Sequence, residues 1–229
     1  MTDIAHIFRK GVHQNIIYAW FPAMYTRVDV VLVSNQDEAF LLDVVSKFIL
    51  EIDTLGQLAN CFSPESELSK YNTGQLELEQ LDKELREILL ICEKWRIKTD
   101  GMFDVNVEGR YNLSGFLKGY ALDKIRLLLA DSGIENALVN MGNSSVMALG
   151  MRSEGKRWTI VNPETGQSVE LHDECLTTSG NDTSERRHII NPKTKQFVTG
   201  KRVVSVITPT GSEGEARSIE KFLKTNNYG

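Results

Sequence analysis

The spacing of apolar residues along the chain predicts a strand, then helices, then a cluster of strands. Arg27–Ser34 is rich in β-branched residues and alternates in part, which predicts a strand. Over Gln36–Leu58 apolar residues recur every three or four positions, as on one face of a helix that Ser34 or Asn35 could cap. Residues 60–73 are polar and predict a surface loop that ends in a short helical turn.

Further helices precede most of the strands. Leu78–Thr99 and Leu117–Ser132 have helical spacing, and Glu213–Lys224 is a closing helix. The late strand candidates are Ala137–Met141, Ser145–Leu149, Arg157–Val161, Ser168–Leu171 and Val203–Thr208. Helices followed by clustered short strands favour an α+β fold with a mainly antiparallel sheet.

Length and composition indicate one globular unit. The 229 residues are 41% hydrophobic and 25% charged, close to globular averages. We interpret residues 1–19 as a lead-in segment and residues 20–229 as a single domain. The first ten residues carry no apolar signal segment, and no apolar stretch reaches the ~20 residues of a bilayer span. We therefore expect a cytoplasmic protein without a membrane span.

Charge and motifs exclude several classes of function. The net charge is −5 and no long basic run is present, so nucleic acid is not an expected partner. The three cysteines are scattered, unlike those of a disulfide framework or a zinc site. Neither a Rossmann fingerprint nor a P-loop occurs. The sequence leaves the oligomeric state open.

Three segments have the small and polar residues that ligand sites use. In Phe103–Val107 and the following Ser114–Asp123, a Ser-Gly pair opens a helix whose first turn carries Lys118. A helix start favours an anion, so this lysine either faces a phosphate or is simply solvated. Asn140–Ser145 is either an ordinary tight turn or a turn that approaches a ligand. His188–Thr194 contains a histidine that is either structural or functional.

The order of six segments carries a family resemblance. The segments are Pro22–Thr26, Cys61–Asn72, Gly101–Val105, Ser114–Asp123, Ile134–Gly142 and His188–Thr194. In this order they resemble the ApbE-type flavin transferases, which attach FMN from FAD covalently to a Ser or Thr of a target protein. The resemblance spans the chain from about Phe21 to Phe222, and the shared order makes it stronger than any single segment does.

The resemblance implies a fold and a set of site residues. The implied fold is a T-fold-like α+β domain, with FAD in a cleft between its helices and a mainly antiparallel sheet. The residues expected at the flavin nucleotide are Met24, Phe62, Met102, Phe103, Asp104, Ser114, Lys118, Gly119, Asn140, Gly142, His188 and Ile190. His188 and Asp104 are the candidate catalytic residues, because one of them would help to deprotonate the acceptor hydroxyl.

The resemblance also implies a divalent cation, usually Mg²⁺, that bridges the pyrophosphate. Its ligands here would be the backbone carbonyl of Leu117 and the carboxylate of Glu215. Glu215 stands where the family has an aspartate, and Ile219 stands where the family has a threonine ligand and offers no oxygen. The sequence therefore predicts a weakened Mg²⁺ site. Tyr25 replaces a family glycine and is expected to narrow the pocket.

Two functions follow from this pattern. The first is Mg²⁺-dependent transfer of FMN from FAD to a Ser or Thr of an acceptor flavoprotein. The alternative is a degenerate member that binds flavin or another ligand without catalysis, or that has lost nucleotide binding. Asp104, Lys118 and His188 favour the enzyme, whereas Glu215 and Ile219 favour the alternative. A related activity that releases FMN and AMP is the third possibility.

Overall fold

A seven-stranded antiparallel sheet is the centre of the computed structural model, which describes residues 4–185 and 187–225. From one edge to the other, the sheet consists of β1 (Ala5–Arg9), β2 (Asn15–Ala23), β3 (Thr26–Ser34), β4 (Asn136–Met141), β5 (Ser145–Leu149), β8 (Glu174–Asn181) and β11 (Arg202–Thr208). Two small hairpins lie outside it, β6 (Trp158–Val161) with β7 (Ser168–Leu171), and β9 (Ile190–Asn191) with β10 (Gln196–Phe197). The fold class is the one predicted.

The α-helices of the described residues follow the predicted spans closely. They are α1 (Glu38–Ala59), α2 (Glu67–Asn72), α3 (Lys83–Lys98), α4 (Leu117–Asp131) and α5 (Gly211–Lys224). The predicted cap of α1 is wrong, because Asp37 rather than Ser34 or Asn35 accepts from the backbone N–H of Phe40, at 2.9 Å. Over the described part of the chain, no helix has the length and apolar character needed to cross a bilayer.

Two parts of the sheet escaped the sequence analysis. No strand was predicted before Arg27, whereas β1 and β2 lie there and pair as an edge of the sheet. The missed β8 has the sequence ECLTTSGN, whose small polar residues have weak strand preference. It is nevertheless largely buried between β5 and β11. Tertiary burial, rather than local preference, therefore specifies this strand.

The sheet packs its inner face against the helices. Successive residues of a strand point to opposite faces, and in β2 and β3 the inward positions are fully or almost fully buried. These positions are Ile17, Ala19, Phe21, Val28, Val30 and Leu32. The β6–β7 hairpin covers part of the outer face, where Trp158 and Leu171 pack on Val146. One end of the helix–sheet interface stays open at the β2–β3 turn.

Helices α4 and α5 cross at two glycines near their N-termini. A Cβ added to Gly119 would lie 2.3 Å from the carbonyl oxygen of Gly211, and one added to Gly211 would lie 2.3 Å from the carbonyl oxygen of Gly119. No side chain fits into this space. The crossing brings each helix start within reach of a carboxylate on the other helix.

Each of these carboxylates caps the opposite helix. Asp123 on α4 accepts from the N–H groups of Gly211 and Ser212, at 2.7 and 2.9 Å. The Glu215 carboxylate on α5 faces the backbone N–H of Gly119, and the Ser145 hydroxyl of β5 donates to its Oε1 at 2.7 Å. The first N–H groups of a helix have no partner within it, and α4 has no cap from its own N-cap side chain. The reciprocal caps therefore fix the starts of both helices.

We expect Gly119→Ala to destabilise the fold, because the added methyl would push Gly211 and the whole crossing apart. Overpacking of this kind lowers the free energy of unfolding by about 1–3 kcal/mol. Gly115→Ala is the matched control, since nothing lies within 4 Å of a Cβ there. Urea denaturation of both variants provides the measurement, and equal stability of the two would contradict the packing role.

A second prediction concerns Glu215, whose carboxyl is buried. Burial raises its pKa from 4.5 to about 7, although the Lys118 charge and the bonds from Ser145 and Gly119 oppose the rise. Because folding favours the protonated carboxyl, Glu215 contributes its full stabilisation of the fold below pH 4.5. This contribution is lost as the pH rises to about 7. Glu215→Gln keeps an acceptor for both donors and removes this loss.

Relative to wild type, the free energy of unfolding of Glu215→Gln should therefore rise between pH 4.5 and pH 7 by roughly 3 kcal/mol, at 1.36 kcal/mol per pKa unit. Denaturant titrations of both proteins at pH 4.5, 6, 7 and 8 measure this difference. A difference that stays constant across this range would show that the carboxyl titrates alike in the folded and unfolded chain.

Candidate functional site

A cleft of about 770 Å³ opens at the end of the helix–sheet interface. Its walls are the β2–β3 turn, the last turns of α1, the loop that follows and the start of α4. The lining residues are Met24, Tyr25, Ile52, Asp53, Gly56, Gln57, Ala59, Asn60, Cys61, Phe62, Ser63, Glu65, Ser66, Ser114, Leu117 and Lys118. Five residues predicted to bind a nucleotide or a metal are thus together: Met24, Phe62, Ser114, Leu117 and Lys118.

Lys118 is the single basic residue among those that line the cleft. Its ammonium donates to the hydroxyl of Ser144 in the β4–β5 turn, which holds the charge beside the cleft. Asp53 and Glu65 lie on the wall formed by α1 and its following loop. The charge of the cleft is therefore divided, and an anionic group is favoured at the α4 side.

The β2–β3 turn presents its side chains to the cleft in an uncommon backbone conformation. Met24 and Tyr25 have φ of 47° and 60°, and they join the last strand pair, Ala23 with Thr26. Two-residue hairpin turns of this kind favour Gly and Asn, because other side chains are strained at positive φ. Tyr25 is 95% exposed there.

Gly142 supports this turn from the neighbouring hairpin. Its φ is 65°, and an added Cβ would lie 2.3 Å from Oγ1 of Thr26. Its N–H donates to the carbonyl of Arg27 at 3.0 Å. The glycine predicted to contact the nucleotide thus packs the β4–β5 turn against the β2–β3 turn. It positions Met24 and Tyr25 in this way.

Asp104 lies in a second cleft of about 500 Å³, between its own loop and the β9–β10 turn. The other lining residues are Asn106, Val107, Glu108, Gly109, Pro192 and Lys195. An Asp104 carboxylate oxygen accepts from the N–H of Asn106 at 2.8 Å. His188 is exposed just before β9, and Ile190 lies within β9, opposite Phe197.

The loop that follows Asp104 is tied to the first cleft. Asn72 and Tyr111 exchange two hydrogen bonds between side chain and backbone, at 2.9 and 2.8 Å. The guanidinium of Arg110 donates to the carbonyl of Cys61 at 3.1 Å. Cys61 and Ser114 both line the first cleft, so the two clefts share a supporting loop.

Several predicted site residues lie outside both sets of lining residues. Met102 packs with Phe222 and its neighbours. Phe103 is 4% exposed, with its ring centroid 5.7 Å from that of Phe116. The Asn140 side chain accepts from the N–H of Asn143 and so closes the β4–β5 turn. Gly119 and Glu215 lie at the helix crossing described above.

The wall formed by α1 was absent from the predicted site. Asp53, Gly56 and Gln57 line the first cleft, although no motif singles them out. One signal was present, because Gly56 interrupts a long amphipathic helix with a residue that disfavours helix formation. An amphipathic pattern alone cannot distinguish a helix face that lines a cleft from one that faces solvent.

The residues present do not fit the Mg²⁺ site that the resemblance implies. The Glu215 carboxylate is buried, caps α4 and does not line the cleft. The Lys118 charge already acts on it, and Ile219 packs among apolar residues. Mg²⁺ requires oxygen ligands in near-octahedral geometry. Of the implied Mg²⁺ ligands, only the Leu117 carbonyl could coordinate a cation at the cleft in this conformation.

Two curated proteins with similar sequences carry the same name. An FAD:protein FMN transferase of Klebsiella pneumoniae is 33% identical over 119 residues, which are 45% of this chain and 34% of that protein. The FAD:protein FMN transferase of Escherichia coli K12 is 29% identical over 120 residues, 46% of this chain and 34% of that protein. The alignments thus span about a third of the length of these relatives.

Solved structures show the same fold over nearly the whole chain. The apo form of the Pseudomonas stutzeri flavinyl transferase ApbE has a TM-score of 0.82 at 16% identity, covering 94% of this chain and 88% of that one. An ApbE protein from Thermotoga maritima has a TM-score of 0.77 at 18% identity, covering 99% and 88%. The ApbE family model matches residues 24–116 and 109–225, and the chain therefore belongs to the ApbE family.

Proposed function

We propose that this chain binds FAD in the first cleft and transfers its FMN moiety to a Ser or Thr hydroxyl of an acceptor flavoprotein. The observation that carries the proposal is the position of Lys118 at the start of α4, where it lines the cleft and donates to the Ser144 hydroxyl. A cation beside the N–H groups of a helix start suits a pyrophosphate. The names of the two similar curated proteins agree with this activity.

The transfer is a phosphoryl substitution. The acceptor hydroxyl oxygen attacks the phosphorus of the FMN half and loses its proton to a base. The bond from that phosphorus to the bridging oxygen breaks, and AMP leaves with the electron pair. Lys118 would stabilise the charge on the pyrophosphate. Asp104 in the second cleft, or His188 just before β9, would receive the proton of an acceptor hydroxyl that enters from that side.

We assign no step of this substitution to Mg²⁺, because Glu215 caps α4 and Ile219 supplies no oxygen. These two residues also favour a second candidate function. In it, the chain binds the flavin nucleotide in the same cleft without transferring FMN. The two functions share the binding step and differ in the transfer step, so binding and transfer have to be measured separately.

Binding is tested with Lys118→Ala. Loss of the ammonium removes a charge-assisted hydrogen bond to the pyrophosphate, so we expect FAD affinity to fall by about 1.5–3 kcal/mol, roughly tenfold to a hundredfold. Lys47→Ala, in a surface ion pair with Asp43, is the control and should leave affinity unchanged. FAD titration by calorimetry provides the measurement. Unchanged affinity in Lys118→Ala would exclude the phosphate role.

Transfer is tested with the double variant Glu215→Asp and Ile219→Thr. The shorter aspartate side chain would no longer reach Gly119 and Ser145, which frees its carboxylate for a cation, and the threonine adds an oxygen ligand. We therefore expect Mg²⁺-dependent transfer to rise above that of wild type. Flavin fluorescence of a Thr-containing acceptor peptide after denaturing electrophoresis measures it. The single variants are the controls.

The outcomes of the transfer experiment separate the two functions. Full wild-type activity with Mg²⁺ would show that Glu215 and water suffice for the cation, and that these substitutions are not degenerative. If every form binds FAD and none transfers FMN, the second function is the correct one. If the wild type does not bind FAD, both functions are wrong.

A further inference from the structure

Gly56 occupies a position of α1 where the fold itself does not require glycine. The helix has 22 residues, Glu38–Ala59, and Gly56 lies in its last turns. After proline, glycine is the residue that disfavours a helix interior most. Its φ lies outside the left-handed region that favours glycine. Local conformation therefore does not explain the residue.

Packing does not explain it either. Apart from the helix itself, nothing lies within 4 Å of the place that a Cβ would take at Gly56. Gly119 and Gly211 differ in this respect, because a Cβ there would overlap backbone at 2.3 Å. The space in front of Gly56 belongs to the first cleft, which this glycine lines. The missing side chain thus exposes helix backbone to the cleft.

Two exposed aromatic rings line the same cleft. Tyr25 is 95% exposed and Phe62 is 72% exposed. Tyr25 also has a φ of 60°, a strained backbone conformation for a bulky residue. Residues with such strain are concentrated at functional sites. Aromatic rings stack favourably on other planar rings. Helix backbone uncovered at Gly56, with two exposed rings beside it, is suited to a flat, uncharged group.

The charges around the cleft place this flat group on the α1 side. Asp53 lies on α1, one turn before Gly56, and would repel a phosphate. Lys118 lies on the α4 wall and would attract one. A nucleotide that extends from α4 to α1 would therefore have its phosphates at Lys118 and an uncharged ring near Gly56.

We propose that the backbone of α1 at Gly56 is the docking surface for a planar heteroaromatic ring, with Tyr25 and Phe62 beside it. The identification of that ring as part of FAD rests on the proposed function. Isoalloxazine and adenine share the required chemistry, and the two rings of FAD are tested separately below. Gly56 is then a residue that determines ligand specificity, because any side chain there keeps the ring away from the helix.

The experiment compares wild type with Gly56→Ala and Gly56→Leu, using riboflavin, AMP and FAD as separate ligands. We expect Gly56→Ala to weaken FAD and one of the two single-ring ligands by about tenfold, and Gly56→Leu to weaken them further. Without ligand, Gly56→Ala should raise Tm by about 2–4 °C, since alanine favours the helix. Binding and stability thus change in opposite directions, which a merely structural glycine would not produce.

Thr54→Ala is the matched control. Thr54 is exposed on the same helix and does not line the cleft, and its hydroxyl bonds only to the helix carbonyl of Leu50 among the contacts described. This variant should leave the affinity for all three ligands unchanged. It shows whether a change in the helix propensity of α1 by itself affects binding.

Each outcome bears on one of the two proposals. Equal affinity of wild type and Gly56→Ala, or a lower Tm of the unliganded Gly56→Ala, would overturn the docking surface. Weakened riboflavin or AMP binding in Gly56→Ala, without FMN transfer by the wild type, would support the docking surface and refute the transferase. If the wild type binds none of the three ligands, the docking surface and the flavin function are both wrong.

Discussion

The reciprocal capping of α4 and α5 is the interaction on which the rest of the site depends. Gly119 and Gly211 let the two backbones touch. Asp123 accepts from the first two N–H groups of α5, and the Glu215 carboxylate faces the N–H of Gly119 in the first turn of α4. Helix starts that lack such partners fray or leave buried donors unpaired. Because Lys118 precedes Gly119 directly, the position of its charge at the cleft follows from this crossing.

The same crossing bears on the cation site that the family resemblance implies. In the resemblance, the position of Glu215 belongs to a cation ligand, whereas in this chain its longer side chain reaches Gly119 and Ser145. One carboxylate cannot cap a buried helix start and coordinate a cation in the cleft in the same conformation. Glu215 thus makes a structural contact at the position where the resemblance implies a metal ligand.

The sequence allowed the helices to be predicted well, because α1, α3, α4 and α5 each have an apolar face with the period of a helix. It did not reveal β1, β2 or β8. β1 is a short edge strand with alternating exposure, and β8 is built of small polar residues that only the surrounding sheet buries.

The site was predictable where a motif carries a side chain into the cleft, as for Met24, Ser114 and Lys118. Phe103 belongs to a motif as well, but its ring fills the core beside Phe116. The contribution of α1 could not be predicted, because only the three-dimensional structure shows that the helix face at Gly56 meets empty space.

The pairing of β3 with β4 has a consequence for how the protein is made. These neighbouring strands are separated in sequence by residues 35–135, which contain α1 to α4. Contacts between segments so far apart form late, because the entropy of closing a long loop must be lost first. On the ribosome, the β2–β3 turn therefore emerges long before the β4–β5 turn that supports it, and the strained backbone at Met24 and Tyr25 is not braced until then. The two turns are therefore joined late, and the cleft takes its final shape only after β4 and β5 have been synthesised.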